Sequence, residues 1–305
     1  MTVKVQGLTK IYGEQKAVDD ISFQVGEGTI LGFLGPNGAG KSTTMKMLTG
    51  YIPPTKGTAS IHGFDIITQS LDARKLIGYL PENNPLYYDM YVKEYLHFVG
   101  TAYKLPTKNL AERIAEMIEM TGLQAEQHKK IGQLSKGYKQ RVGLAQAIIH
   151  DPKILILDEP TSGLDPNQLA DIRRLIKELG KNKTILFSTH IMQEVEAVCD
   201  RVIIINKGKI VADEGLHEIK SHGQETKIVR VKFDTQVEIA KLASLPSIVS
   251  IAPSSVDDKE LKIVAKDIKQ AKNELMQFAI NSGVVIVSLR DDHSSIEQVF
   301  QELTR

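Results

Sequence analysis

Short apolar runs dominate the chain as far as Gly35. Val3–Leu8, Ala17–Val25 and Thr29–Leu34 are rich in Val, Ile and Phe, which predicts three strands, and Gly26-Glu27-Gly28 separates the last two. Thr43–Thr49 then reads as a helix, stopped by Gly50 and the Pro53-Pro54 pair. From Glu94 to about Leu123 the period becomes helical. Leu110, Ile114, Met117 and Ile118 share one face, Asn109 with Glu112 reads as a capping pair, and Gly122 as the stop. Gly137–Ile149 predicts a further helix. Lys153–Leu157, Thr184–Ser188 and Val202–Ile205 are short runs, apolar on both faces and separated by helical segments. Strands of that kind belong in a parallel sheet covered on both sides.

The pattern changes after Gly208. Lys209–Glu225 is polar and reads as a connection with a short strand and helix. Beyond it the alternation predicts strand 226–233, helix 236–243, strand 247–252, strand 259–265, helix 267–281, strand 284–289 and helix 295–303. The first six follow β-α-β-β-α-β, the order of a ferredoxin-like fold. A length of 305 residues, at roughly 150 per domain, also suggests two domains. The expected division is 1–220 and 221–305.

Composition narrows the class. The chain is 42% hydrophobic, which excludes disorder of the highly charged, weakly apolar kind. Its 38 basic and 37 acidic side chains leave a net charge of +1, so bulk charge does not draw it to nucleic acid. One cysteine, Cys199, cannot form an internal disulfide, which suits a reducing compartment. No apolar run approaches the ~20 residues of a membrane span. Met1–Gln6 lacks the apolar core of an export signal. A soluble cytoplasmic protein is expected.

The candidate chemistry lies at strand ends. Gly35-Pro36-Asn37-Gly38-Ala39-Gly40-Lys41-Ser42 fits G-x-x-x-x-G-K-[ST] between a predicted strand and a predicted helix. Glycines let the backbone wrap closely round phosphates, and successive N–H groups with the helix N-terminus attract negative charge. Lys41 would reach the β and γ phosphates, and the Ser42 hydroxyl would bind Mg²⁺. Thr43 continues the motif into the helix. Ile154-Leu155-Ile156-Leu157-Asp158-Glu159 supplies a second metal carboxylate, Asp158, binding directly or through water. Glu159 would polarise the attacking water. Thr189-His190 follows the next strand. Parallel strands end on one edge, which places His190 near the phosphates.

With these motifs, residues 1–220 resemble the ATP-binding subunit of an ABC transporter. The resemblance implies a P-loop ATPase fold: a mostly parallel α/β sheet, an antiparallel N-terminal β region and a helical subdomain at about 86–150. It also implies a signature segment, here Leu134-Ser135-Lys136-Gly137-Tyr138, whose Ser135 and helix-opening N–H groups bind the γ phosphate of an opposite subunit. Ser162-Gly163-Leu164-Asp165 matches the D-loop, which touches that partner. Tyr12 resembles the aromatic that stacks on adenine, although packing at the strand end explains it equally well.

Two departures stand out. Glu82, after Ile77-Gly78-Tyr79-Leu80-Pro81, replaces the usual Gln that senses Mg²⁺; it still offers an oxygen but adds negative charge. Lys136 and Tyr138 replace the usual Gly and Gln of the signature, while Ser135 and Gly137 are retained. Activity is therefore expected, with a weak or structural second site in a mixed dimer as the alternative.

The resemblance implies ATP and Mg²⁺ as ligands, separate membrane subunits as partners, and a homodimer or a heterodimer with a related subunit. It places the chain peripherally on the inner face of the membrane. The segment from Ser295 to Phe300, together with Glu82, resembles bacterial exporters and loosely the gliding-motility ATP-binding subunit. The rival is a soluble ABC-type ATPase acting on ribosomes or nucleic acid. A single phosphate loop, no long heptad run between Ser42 and Asp158, and the neutral charge speak against it.

Overall fold

The computed structural model describes residues 2–216, 228–253 and 259–292. These cluster into two compact units, Met1–Leu216 and His217–Leu303.

In the first unit, β1 (Val3–Tyr12), β2 (Gln15–Val25), β4 (Lys56–Ile61) and β5 (Phe64–Asp65) form an antiparallel sheet in the order β2-β1-β4-β5. The second sheet runs β10-β9-β3-β8-β7-β6. Its members are β3 (Ile30–Leu34), β6 (Ile77–Leu80), β7 (Ile154–Asp158), β8 (Thr184–Thr189), β9 (Arg201–Asn206) and β10 (Lys209–Gly215). The five from β9 to β6 are parallel, and β10 pairs antiparallel at one edge. Every residue of β3, β7 and β8 is buried. One face packs on the helix Lys41–Leu48 and the antiparallel sheet, and the helix Met192–Val198 lies against the other at Gly32, so these strands carry no polar alternation.

The helices of this unit are α1 (Lys41–Leu48), α2 (Ser70–Lys75), α3 (Val92–Ala102), α4 (Thr107–Met120), α5 (Lys136–Ile148), α6 (Pro166–Gly180) and α7 (Met192–Val198). The pattern from Glu94 to Leu123 predicted continuous helical character, but the chain breaks it into α3 and α4. Lys104 has φ +58°, and Pro106, which cannot donate an N–H, stands at the head of α4. Asn109 is therefore inside the first turn, and α4 has no side-chain cap. Leu110, Ile114, Met117 and Ile118 do form its buried face, and Gly122 stops the segment with φ +69°. The pattern also passed over β4 and β6, whose polar and glycine residues (Lys56, Gly57, Thr58, Gly78) mask strand character.

The second unit contains β11 (Ile228–Phe233), α8 (Ile239–Ala243), β12 (Ile248–Pro253), β13 (Glu260–Ala265), α9 (Ile268–Ser282) and β14 (Ile286–Asp292). The sheet order is β12-β13-β11-β14, all antiparallel, which is the ferredoxin-like arrangement. Val229, Val231, Phe233, Ile263 and Leu275 fill its core. The expected helix 295–303, and the helix expected before residue 225, lie outside the described residues.

Candidate functional site

Parallel pairing brings three strand ends together. Leu34 of β3 lies opposite Thr189 of β8, and Ser188 lies opposite Asp158 of β7. The segments that follow β3, β7 and β8 therefore share one edge, where open α/β sheets bind ligands.

The loop after β3 is confined by its neighbours. A side chain at Gly35 would strike the Ile205 carbonyl. Gly40, with φ +109°, would strike that of Ala17. Only glycine permits both the approach and the left-handed turn. Gly40 then stands at the N-terminus of α1, leaving the first N–H groups of that helix facing the loop. Lys41 is buried and folds back over the loop. Its Nζ donates to the Gly35 carbonyl at 2.8 Å and the Pro36 carbonyl at 3.2 Å, and lies 3.3 Å from Glu159 Oε1.

Asp158 ends β7 almost wholly buried. Its Oδ1 accepts hydrogen bonds from the Ser188 hydroxyl at 2.6 Å and the Ser42 hydroxyl at 3.0 Å. Burial raises its pKa above the ordinary carboxylate value. The two hydroxyls oppose that rise, and the charge of Glu82 adds to it. Glu159 takes φ +49°, a conformation costing a non-glycine residue of order 1–3 kcal/mol. Its N–H is held by the Ser188 carbonyl at 3.2 Å and the Ser188 hydroxyl at 3.0 Å. The turn aims the carboxylate between Lys41 and His190, whose Nδ1 lies 2.9 Å from Glu159 Oε2.

Lys41, Glu159 and His190 border a cavity of about 400 Å³, lined also by Asn37, Gly38, Gly40, Ser42, Thr43, Glu82 and Ser162. Glu82 also lines a second cavity of about 430 Å³, together with Asp158, Tyr51, Tyr79 and Tyr103.

The signature segment is not part of the first lining. Leu134 is buried, and Ser135 caps α5 by accepting from the Tyr138 N–H at 3.4 Å. Gly137 lies against Gln168 of α6, and the Lys136 ammonium lies over Gly163, which has φ +70°. The signature thus packs on the segment Ser162–Asp165 of its own chain. In that segment the Leu164 N–H donates to the Thr161 carbonyl at 3.3 Å, and Asp165 caps α6 through the Asn167 and Gln168 N–H groups. Tyr12 stands half-exposed at the end of β1, with Lys10 Nζ 5.3 Å from its ring centre, and is also absent from the lining.

Sequence reading passed over Ser188, which holds both Asp158 and the Glu159 backbone. Its signal was present: a hydroxyl beside Thr189-His190 at the end of an otherwise apolar strand.

A second feature lies in the helical region. Tyr87, Tyr88, Tyr91 and Phe98 are each about half exposed. The Tyr87 ring contacts Phe98 at 5.5 Å and Tyr95 at 5.9 Å between centres, and Lys139 Nζ lies 5.0 Å from the Tyr88 ring centre.

A family model described as "ABC transporter" matches residues 18–162, and one described as "AAA domain, putative AbiEii toxin, Type IV TA system" matches residues 129–196. The uncharacterized ABC transporter ATP-binding protein YxlF of Bacillus subtilis is 37% identical over 298 residues, covering 98% of each chain. This chain belongs to the ABC transporter ATP-binding proteins. Bacitracin transport ATP-binding protein BcrA of Bacillus licheniformis is 34% identical, covering 99% of this chain and 96% of its own. Linearmycin resistance ATP-binding protein LnrL of Bacillus subtilis is 32% identical, covering 99% and 98%.

Among solved structures, an ATP-binding subunit of an ABC transporter matches with TM-score 0.66 and 31% identity, over 73% of this chain and 93% of its own. A dimeric ATP-binding cassette in a post-hydrolysis state, bound to ADP and Pi, matches with TM-score 0.65 and 27% identity, over 70% and 98%. The ABC subunit described here is accordingly an ATPase. Among its described residues no helix is long and apolar enough to cross a membrane.

Proposed function

We propose that this ATPase subunit binds ATP with Mg²⁺ at the edge formed by β3, β7 and β8, dimerises head to tail, and drives separate membrane subunits that export a substrate. The observation that supports the catalytic reading best is the meeting of Lys41, Asp158, Glu159 and His190 at adjoining strand ends.

The phosphate loop N–H groups receive the β and γ phosphates, and Lys41 exchanges its two carbonyl partners for phosphate oxygens. That frees Glu159 from its ion pair to polarise a water in line with the γ phosphate. His190 contacts the γ phosphate and keeps Glu159 oriented. Ser42 and Asp158 present hard oxygens 3.0 Å apart, a donor set suited to Mg²⁺, which keeps several waters and takes few protein ligands. Glu82 adds a third oxygen. Mg²⁺, when bound, neutralises phosphate charge. Tyr12 stacks on adenine, and Ser135 with the N-terminal amides of α5 closes over the partner's γ phosphate.

The names of BcrA and LnrL, for bacitracin transport and linearmycin resistance, support export rather than a ribosomal or nucleic-acid role. Those two are named for antibiotic transport and resistance rather than for gliding motility. Tyr87, Tyr88 and Tyr91, with the wall around Glu82, suit a membrane-subunit contact, since aromatic residues favour partner surfaces. Peripheral placement at the inner face of the membrane follows from that contact.

Glu159→Gln tests the reading. The variant is expected to bind ATP at normal affinity, to lose at least ~100-fold in turnover and to accumulate as a dimer by light scattering. Normal turnover would remove Glu159 from its assigned role.

A further inference from the structure

Glu194, in the first turn of α7 and four residues past His190, has no solvent exposure. Its Oε2 accepts the Thr189 hydroxyl at 2.5 Å, and that hydroxyl oxygen accepts the Ile191 N–H at 3.1 Å. One bridge therefore holds the backbone on both sides of His190. The other oxygen, Oε1, is buried without a hydrogen-bond partner, and so is Nε of Arg173 on α6. Arg173 Nη2 lies 3.9 Å from Glu194 Oε1, too far for a hydrogen bond. Arg173 follows the segment Ser162–Asp165 by two turns of one unbroken helix.

A buried carboxylate left half-satisfied is costly and calls for a reason. A glutamine would bridge Thr189 equally well without the charge. Among the described residues the charge has one ion-pair counterpart, the guanidinium on α6, and a movement of about 1 Å would turn their contact into a charge-assisted hydrogen bond.

We propose that Glu194 is a positioning residue linking the His190 turn to α6. The Glu194–Arg173 contact tightens as His190 engages the γ phosphate, and α6 carries that change to Ser162–Asp165. This rests on the phosphate contact assigned to His190 under Proposed function.

Steady-state ATP hydrolysis by the full-length protein tests it. Glu194→Gln keeps the size and the acceptor for Thr189 but removes the attraction for Arg173. Its kcat is expected to fall about tenfold with KM for ATP within about twofold of the parent. Arg173→Gln should do the same. The double variant should be no slower than either single one, because both remove a single contact. Parental kcat in folded Glu194→Gln, or losses that multiply in the double variant, would overturn the proposal.

Thr189→Val gives a second route that spares the buried charge. It too should lower kcat at constant KM and should shift the ring resonances of His190, identified by their loss in His190→Asn. Unchanged kcat and resonances in that variant would also overturn it. His190→Ala separates the two readings. If it abolishes turnover while Glu194→Gln does not lower it, the link alone fails. If His190→Ala turns over normally, the phosphate contact itself fails and the link falls with it.

Discussion

Asp158, proposed to hold Mg²⁺, is a carboxylate that burial makes costly to ionise. Folding strips water from its carboxylate, and two serine hydroxyls return part of that loss. Its folded pKa is raised, so the native state holds the proton more tightly than the unfolded chain. The resulting stability is present below the unfolded pKa and is lost as pH rises through the folded one. At neutral pH the ionised group is therefore a net cost. Asp158→Asn keeps an oxygen for Ser42 and Ser188 but removes the charge. The nucleotide-free variant should melt about 2–4 °C higher by scanning calorimetry while losing Mg²⁺-dependent ATP hydrolysis. A lower melting temperature would mean that the hydrogen bonds outweigh desolvation. Lys41→Ala, in contrast, should abolish nucleotide binding or hydrolysis, measured with a fluorescent ATP analogue and by phosphate release. Unchanged ATPase activity would count against the whole phosphate site. The positive φ of Glu159 belongs to the same scale: the Ser188 contacts at its N–H and the Ser162 N–H on its carbonyl hold that turn.

At the scale of elements, the joint between α5 and β6 carries a titratable group. His150, just beyond α5, stacks on Tyr103 with ring centres 3.9 Å apart, and its Nε2 lies 3.1 Å from the Ile77 carbonyl at the start of β6. Burial is the main cause that lowers its pKa to about 4, from an ordinary 6.5. A base with a depressed folded pKa supports folding above its unfolded pKa and withdraws that support as pH falls. Thermal stability should therefore drop between about pH 6.5 and pH 4, and His150→Phe should flatten that part of the profile. An unaltered slope in the variant would assign the drop to carboxylates instead. The break between α3 and α4 belongs here too. Helical periodicity continues across Lys104–Pro106, while the ring of Pro106 and the positive φ of Lys104 divide it.

For the whole molecule, the proposed dimer is the point to test. Ser135 is exposed at the head of α5 and absent from the lining of the cavity beside its own phosphate loop, which suits the proposed head-to-tail dimer. Ser135→Cys with Gly38→Cys should crosslink between subunits in ATP, in the Glu159→Gln background, as read on a non-reducing gel. Native Cys199 is buried and should stay silent. Intrachain crosslinks alone would break the dimer model. Tyr87→Ser with Phe98→Ser should abolish co-purification with the cognate membrane subunits while leaving basal ATP turnover intact. Retained co-purification would free that aromatic surface from the assigned role.

Sequence alone determined the place and backbone of the glycine loop before α1, because glycine spacing obeys local backbone rules. It also determined the parallel core, because strands buried on both faces cannot alternate, and the β-α-β-β-α-β order of the second unit. Tertiary structure decided the rest. The Ser188 contacts, the Lys41–Glu159 pair and the approach of Arg173 to Glu194 depend on which strands and helices end side by side. No local pattern records that adjacency. β4 and β6 were hidden for the same reason: their strand character comes from the neighbours that pair with them, not from their own residues.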